Sequence, residues 1–308
     1  MATNRTDQVS TTPRGHAALV AHGPSAATEW TRRWRRFKQN RLSLLGAAII
    51  LLLALVALIG PFFAPYPEDA TGAVHISERL EPPSASHLMG TDEVGRDILT
   101  RVLVGSRLSL GAGFLVLAMA TTLGLALGMA SGFFGGRTDT AIQRVTDVFL
   151  TIPGLILAMA VSAALGPSLV NVMFAISLVW WPGYCRLTRA EVMQRKQESY
   201  VEAGRAIGAS SARLLLRHIL PNILTPVLVK ASMDIGFAVL TLASLGFIGL
   251  GAQPPTPDWG KMIADGRRFL PESWWLTAFP GAAIFLTVFG FNILGDGIRD
   301  VVDPRSRD

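Results

Sequence analysis

The hydrophobic residues of this sequence gather into long runs that are separated by polar stretches. A helix of about 20 apolar residues is long enough to cross the hydrocarbon core of a bilayer. The pattern predicts transmembrane helices at about residues 42–64, 108–134, 145–165, 170–186, 222–250 and 276–296. We therefore expect an all-α polytopic membrane protein with six transmembrane helices.

The charges between these runs indicate on which side of the membrane each connection lies, because Lys and Arg accumulate in cytoplasmic loops. The stretch RRWRRFKQNR before the first run carries six Lys and Arg residues, which places it in the cytoplasm. Residues 65–105 carry seven Asp and Glu residues against three Arg, as expected outside the cytoplasm. The segment at about 187–220 is again basic. With six spans, both termini are predicted to be cytoplasmic.

These boundaries divide the chain into segments with different predicted roles. We expect a disordered or interfacial cytoplasmic tail at residues 1–35, a basic segment with the first span at 36–64, an extracytoplasmic loop at 65–105, a core of five further spans at 106–302 and a short cytoplasmic tail at 303–308. Within the core, a pair of short cytoplasmic helices is expected at about 195–220.

Composition supports a membrane protein and excludes several other classes. Half of the residues are hydrophobic and only 16% are charged, which leaves too little polar surface to coat a soluble globule. The net charge of +6 follows the cytoplasmic loops, so it does not indicate a nucleic-acid partner. Cys185 is the only cysteine and the five His residues have no ligand spacing, so we predict no metal site.

No motif for catalysis is present in the sequence. The phosphate-binding pattern G-x-x-x-x-G-K-[ST] is missing, and so are the G-x-S-x-G and H-E-x-x-H patterns. We therefore predict no catalytic residue, and any ATP hydrolysis linked to this chain must occur on another subunit.

The stretch YVEAGRAIGASSARLLLRHILPN at residues 200–222 is a polar interruption between two apolar runs. Its pattern predicts a short helix that Gly208 ends, and a second helix that Ser210 or Ser211 caps. Pro221 is well placed to open the fifth span. On periodicity alone, the stretch is either an amphipathic surface loop or a docking surface.

The residues of this stretch resemble the EAA motif of ABC importer permeases. The resemblance rests on E-A-G-x-x-x-G at 202–208 and on Ile-Leu-Pro at 219–221, although Gly204 replaces the usual Ala and His218 alters the spacing. In that family the two helices form a coupling helix that docks into a cleft of a separate ATPase subunit. The resemblance assigns this coupling role to Glu202, Ala203, Gly204, Arg205, Gly208, Ala209, Leu220 and Pro221.

Three further stretches are similar to signatures of the peptide/nickel branch of these permeases. They are GTDEVGRDILTRVLVGSRLSL at 90–110, LGFIGLGAQPPTPDWGKMI at 245–263 and FNILGDGIRDVVDP at 291–304. The chain resembles the C-type subunit of a dipeptide or oligopeptide importer. AALGPSLVN at 163–171 and the C-terminal third resemble the D,D-dipeptide subgroup.

The resemblance implies a type I ABC importer permease fold in the inner membrane of a bacterium. It also implies the partners: a second homologous permease, two ABC ATPase subunits that hold ATP and Mg, and an extracytoplasmic peptide-binding protein. The chain itself would bind membrane lipid but no cofactor. Nickel or another small solute remains open as the cargo.

Ionisable residues inside the predicted spans suggest a transport pathway, because such groups are costly in lipid. Lys230, Asp234 and Asn292 are expected to line it, although Lys230 and Asp234 are four residues apart and could instead neutralise each other on one helix face. An ion- or proton-coupled secondary transporter, with Asp234 as the relay, is the alternative. The sequence shows no pair of broken helices in two related halves, which weighs against it.

In the outer loop, Asp92, Arg96 and Asp97 have two interpretations. They are expected to face the mouth of the pathway or a binding protein. Alternatively, they cap the start of the second span.

Overall fold

The computed structural model describes residues 40–302, and all regular elements in this range are helical. Helix α1, Arg41–Ile59, begins at Asn40, whose side-chain oxygen accepts hydrogen bonds from the amides of Leu42 at 3.0 Å and Ser43 at 3.3 Å. Short 3₁₀ turns follow at Gly60–Phe63, Pro67–Ala70 and Ile76–Glu78. The tails predicted at 1–35 and 303–308 lie outside the described residues.

Helix α2, Ile98–Phe134, is the longest α-helix in the described range, with 37 residues. It begins ten residues before the predicted start at 108, because Asp97 caps it and its first turns are buried in the protein. At Gly124, an added Cβ would lie 2.4 Å from the Cβ of Tyr184. At Gly128 it would lie 2.6 Å from the Cβ of Thr188. Such close approach is the usual reason for small residues between transmembrane helices.

The third predicted span, 145–165, is not one straight helix. Helix α3, Gly136–Thr151, and helix α4, Gly154–Leu165, meet at an angle of 92°. The break falls at Pro153, which has no amide hydrogen and disfavours helical geometry in the residue before it. Ile152 is accordingly extended, with ψ of 131°. The hydrophobic run at 145–165 is therefore helical as predicted, but Pro153 divides it into two helices instead of one span.

The remaining helices complete the core and the polar segment between α5 and α8. Helix α5 is Leu169–Arg195, α6 is Ser199–Ala206, α7 is Ser211–Arg213, α8 is Leu220–Ile248, α9 is Trp259–Gly266 and α10 is Trp275–Val302. A π-helical stretch, Leu214–Ile219, joins α7 to α8. Buried side chains of α2, α5, α8 and α10, among them Val116, Ile176, Leu245 and Phe291, pack into the main core.

The apolar helices agree with a membrane protein, but their number is smaller than predicted from the runs. Four helical stretches are long and apolar enough to cross a bilayer, namely Arg41–Phe63, Ile98–Phe134, Ser211–Ile248 and Trp275–Asp300. The broken pair α3–α4 brings the number to five when it is counted as one span. Helix α5 has the length but carries several charged residues in its second half. The structure is therefore all-helical with four or five apolar spans.

Candidate functional site

The polar interruption, here called the coupling segment, comprises residues 199–222. Its first part is the eight-residue helix α6, which ends as predicted at Gly208. Gly208 has φ of +79°, and its amide donates to the carbonyl of Arg205 at 2.9 Å. The amide of Ala209 donates to the carbonyl of Gly204 at 3.0 Å. A left-handed glycine with such backward hydrogen bonds is the common way to end a helix.

The second part of the coupling segment differs from the predicted separate short helix. Ser210 caps it as predicted, with its hydroxyl oxygen 3.4 Å from the amide of Arg213. From Ser211 onward, however, the helix continues without interruption to Ile248. The π-helical stretch before Pro221 explains the continuity, since a wider turn accommodates a residue that lacks an amide hydrogen. The second part of the coupling segment is therefore one end of a long apolar helix, while α6 remains a separate short helix.

The underside of the coupling segment is anchored in a small hydrophobic cluster. Val201, Leu214, Ile219 and Ile223 are buried there against Phe133 at the end of α2 and Val192 near the end of α5. An added Cβ at Gly204 would lie 2.7 Å from Cδ2 of Leu214. The small size of Gly204 thus allows close contact within the chain.

The opposite face of the coupling segment is exposed. Glu202, Ala203, Arg205 and Gly208 all lie on it, whereas Ala209 and Leu220 are half-buried and pack against the cluster of the underside. Ile207 stands at its tip with 86% of its surface exposed. Ile207 was not among the site residues predicted from the sequence. An apolar residue directly before a helix-ending glycine in a polar stretch is the signal that could have identified it.

Two cations connect the coupling segment to the end of α2. The guanidinium of Arg205 lies 5.9 Å from the ring centroid of Phe133, and the ammonium of Lys196 lies 5.6 Å from the same centroid. Lys196 also donates a hydrogen bond to the carbonyl of Phe133. Beside them is a polar cleft of about 300 Å³ that Glu202, Arg205, Lys196 and Asp139 help to line. Asp139 holds α3 to α5 through Arg189, with N–O distances of 2.6 and 2.7 Å.

The ionisable pair in the membrane is joined in the structure. The ammonium of Lys230 lies 2.8 Å from Oδ2 of Asp234, and the hydroxyl of Tyr184 donates to the same oxygen at 2.7 Å. The ammonium also lies 5.2 Å from the ring centroid of Tyr184. Asn292 is half-buried in α10, and within residues 40–302 no hydrogen bond joins its side chain to the pair.

The three outer-loop residues are turned into the protein, in contrast to the expectation of a docking role. Asp92 is buried and accepts from the amide of Arg96 at 2.9 Å and from its side-chain Nε at 2.7 Å. Asp97 is also buried, and it caps α2 by accepting from the amide of Thr100 at 2.7 Å. Buried carboxylates cannot contact a partner, so the capping alternative describes Asp97 and the docking role is not carried further.

Known proteins with related sequences match nearly the whole chain. The family of binding-protein-dependent transport system inner membrane components matches residues 124–308, and the N-terminal transmembrane domain of oligopeptide transport permease C matches residues 28–83. A probable D,D-dipeptide transport system permease protein of Escherichia coli K12 is 50% identical over 269 residues, covering 87% of this chain and 89% of that protein.

Two further relatives show the same extent of similarity. A dipeptide transport system permease protein of Haemophilus influenzae is 42% identical over 275 residues, which cover 88% of this chain and 93% of that protein. A glutathione transport system permease protein of Pectobacterium atrosepticum is 39% identical over 286 residues, which cover 93% and 94% respectively. The similarity therefore extends over full-length permeases.

Proposed function

The chain belongs to the family of binding-protein-dependent transport system inner membrane components, and from this premise we propose that it forms one half of the translocation pore of a peptide importer. It is a multi-pass inner-membrane permease subunit and not an enzyme. ATP and Mg are assigned to two separate ATPase subunits. A second, homologous permease completes the pore, and an extracytoplasmic binding protein delivers the cargo.

Peptides are the proposed cargo because three similar proteins are named for the transport of D,D-dipeptides, dipeptides and glutathione. The identity of 50% to the first of them favours the D,D-dipeptide subgroup. These names favour peptides over nickel. We do not retain the alternative of an ion- or proton-coupled secondary transporter, because the chain belongs to a family of binding-protein-dependent transport components.

The proposed membrane arrangement has six spans with both termini in the cytoplasm. It counts the broken pair α3–α4 as the third span and α5 as the fourth, in addition to the four apolar stretches. This arrangement places the coupling segment on the cytoplasmic side, where ATP is available. It agrees with the basic character of the sequence around that segment.

The observation that carries the proposal is the two-sided character of the coupling segment. Its buried underside rests on α2 and α5, while its outer face presents Glu202, Arg205 and the exposed side chain of Ile207. An exposed apolar side chain at the tip of a rigid turn is suited to insertion into a pocket of a partner. ATP-driven movement of the ATPase would then reach the pore through the continuous helix Ser211–Ile248.

The test is reconstitution of the complete complex with a variant at the tip. Ile207→Asp is expected to lower ATP-dependent peptide uptake into proteoliposomes by at least about tenfold, because it places a charge in the proposed pocket. Co-purification of the ATPase subunits should fall in parallel. Glu202→Arg, which reverses a charge on the same face, should act in the same direction.

The matched control is Gln194→Asp, which adds the same charge at an exposed position near the end of α5. Peptide uptake by the Gln194→Asp complex, and the amount of ATPase subunit that co-purifies with it, should match those of the unmodified complex. Normal uptake by the Ile207→Asp complex would refute the docking role of this tip.

A further inference from the structure

The ion pair of α8 lies at the middle of its helix. Asp234 is fourteen residues from both ends of Leu220–Ile248, which is roughly 21 Å in either direction. Lys230 lies one helical turn closer to the cytoplasm. Both groups are thus at the depth where charged side chains are most costly in a bilayer. Their position calls for a polar environment that lipid does not provide.

The pair belongs to a polar stripe on the incompletely covered side of α8. The exposed fractions of the side chains are 39% for Lys230 and 19% for Asp234. Thr241 and Ser244 lie on the same side and are half-buried, although their hydroxyls donate to the carbonyls of Phe237 and Leu240 in the same helix. The opposite side of α8 is packed into the core through residues such as Ala238, Val239 and Leu242. Charged side chains on a membrane helix face water or protein and not lipid, which is compatible with a position of the pair on the pathway.

Only part of the pair's bonding capacity is used within the chain. Oδ2 of Asp234 accepts from Lys230 and from Tyr184, while the ammonium of Lys230 has three donors and one carboxylate contact in residues 40–302. The ammonium of Lys230 and the carboxylate of Asp234 are therefore held together by a single contact, which a competing ligand can replace. The ligand must supply one anion for Lys230 and one cation for Asp234.

We propose that Lys230 and Asp234 form a transit site for the two termini of a dipeptide, with the carboxylate on Lys230 and the ammonium group on Asp234. This inference rests on the proposed function as a peptide permease. A dipeptide carries both charges and spans roughly 7 Å when extended. Side chains at positions i and i+4 of a helix have Cβ atoms about 6 Å apart, and their heads can spread further. The Cβ separation is thus close to the length of a dipeptide, and the charged groups, 2.8 Å apart in the pair, must separate to bind both termini.

Exchange of partners explains why the chain keeps two charges inside the membrane. Without cargo, Lys230 and Asp234 neutralise each other, and Tyr184 holds the carboxylate in place. With cargo, each charge exchanges its neighbour for a terminus of opposite sign. Neither state leaves a lone charge in the pathway, so the site can load and release without a large barrier.

The test removes both charges together in the double variant Lys230→Met/Asp234→Asn. A pair that serves only to neutralise its own two charges tolerates this change, because no lone charge is left behind. The complete complex, with its partner permease, ATPases and binding protein, is reconstituted and supplied with a defined mixture of dipeptides. Imported peptides are measured by mass spectrometry, and ATPase stimulation by the loaded binding protein is measured in parallel. We expect import to fall at least tenfold while assembly and stimulation stay within twofold.

The matched control is Lys261→Met/Asp265→Asn in α9. That pair has the same residue types, the same i,i+4 spacing and an N–O distance of 2.7 Å, but it lies in the outer connection. Dipeptide import by the Lys261→Met/Asp265→Asn complex should stay within twofold of import by the unmodified complex.

Two results would overturn the transit site. One is near-normal import by the Lys230→Met/Asp234→Asn complex, and the other is failure of that complex to assemble, which would make the pair structural. Absence of ATP-dependent dipeptide import by the unmodified complex would refute the proposed function itself. That result is seen without any variant, so the two failures are distinguishable.

Discussion

The outer segment, residues 65–97, and the coupling segment, residues 199–222, are both polar stretches between apolar helices, and they use their polar groups in opposite ways. In the outer segment, Asp69 accepts from Nε2 of His75 at 2.9 Å and from the amide of Asp97 at 2.7 Å. Asp97 accepts from Nδ1 of His87 at 3.0 Å. The three aspartates of this segment, Asp69, Asp92 and Asp97, are thus bonded within the chain.

The coupling segment leaves its charges on the surface. Glu202 and Arg205 are exposed, and within residues 40–302 no ion pair joins either of them to another side chain. Its apolar underside fixes its position, and on its outer face Arg205 lies over the ring of Phe133 but forms no ion pair in the described part of the chain. The comparison teaches that residue types alone do not mark an interaction surface. What distinguishes the two segments is whether their polar groups are satisfied inside the chain.

Two glycines with similar backbone geometry give the sharpest way to test this contrast. Gly95 in the outer segment has φ of +86°, and an added Cβ would lie 1.9 Å from the carbonyl oxygen of His75. Gly208 in the coupling segment has φ of +79°, and no atom lies within 4 Å of an added Cβ. Gly95→Ala should destabilise the purified complex by about 3 to 5 kcal/mol, since strain and overpacking both contribute. Gly208→Ala should cost only about 1 kcal/mol, from strain alone.

Thermal unfolding in detergent measures both glycine variants on the same scale. Gly208→Asn is the control for strain, because asparagine tolerates the left-handed conformation better than alanine. Equal destabilisation by Gly95→Ala and Gly208→Ala would contradict the difference in packing between the two segments.

Removing one carboxylate from each segment should lower stability in the outer segment and peptide uptake in the coupling segment. Asp97→Ala leaves the amide of Thr100 uncapped and the ring of His87 without its buried acceptor, so we expect a loss of about 2 to 3 kcal/mol. Glu202→Ala removes an exposed side chain and should change stability by less than about 0.5 kcal/mol. Its uptake should nevertheless fall, because Glu202 lies on the proposed docking face.

The readouts for this pair are thermal unfolding and peptide uptake in the same preparation. An Asp97→Ala complex as stable as the unmodified one would show that the outer segment does not depend on its internal bonding. A stable Glu202→Ala complex with full uptake would remove this residue from the docking face.

The local features of the coupling segment could be predicted from its sequence because they depend on neighbouring residues. The end of α6 at Gly208, the cap at Ser210 and the buried stripe of Leu214 and Ile219 are of this kind. Turn and cap preferences act over a few residues, so the printed sequence contains the necessary information.

Features that depend on distant packing could not be predicted in this way. Pro153 and Asp97 mark where the break and the start of α2 fall, but the 92° angle and the burial of the first turns of α2 depend on contacts that no local pattern reveals. Asp92, whose charge suggested the surface, is instead buried and bonded to Arg96 four residues later. Gly204 was assigned to the coupling role, but its close neighbour is Leu214 of the same chain. Sequence patterns identify special residues more reliably than they identify what those residues contact.

The smallest expected effect concerns a further buried carboxylate, Asp258, which lies between α8 and α9 and caps α9. Its Oδ1 accepts from the amide of Gly260 at 2.7 Å and from that of Lys261 at 3.2 Å. Burial raises the pKa of Asp258 above its ordinary value, and the hydrogen bonds from backbone amides oppose this only in part. The folded protein therefore binds this proton more tightly than the unfolded chain, so the ionised carboxylate reduces stability as the pH rises through the raised pKa.

Asp258→Asn should remove this pH dependence while keeping the cap, since asparagine caps helices as well as aspartate does. The stability of the variant relative to the unmodified complex should thus increase from acidic pH toward neutrality and then level off. Thermal unfolding measured across that range gives the difference at each pH. A difference that stays constant, or that moves in the opposite direction, would mean that the amide hydrogen bonds outweigh burial. Asp258 would then resemble the fully satisfied carboxylates of the outer segment.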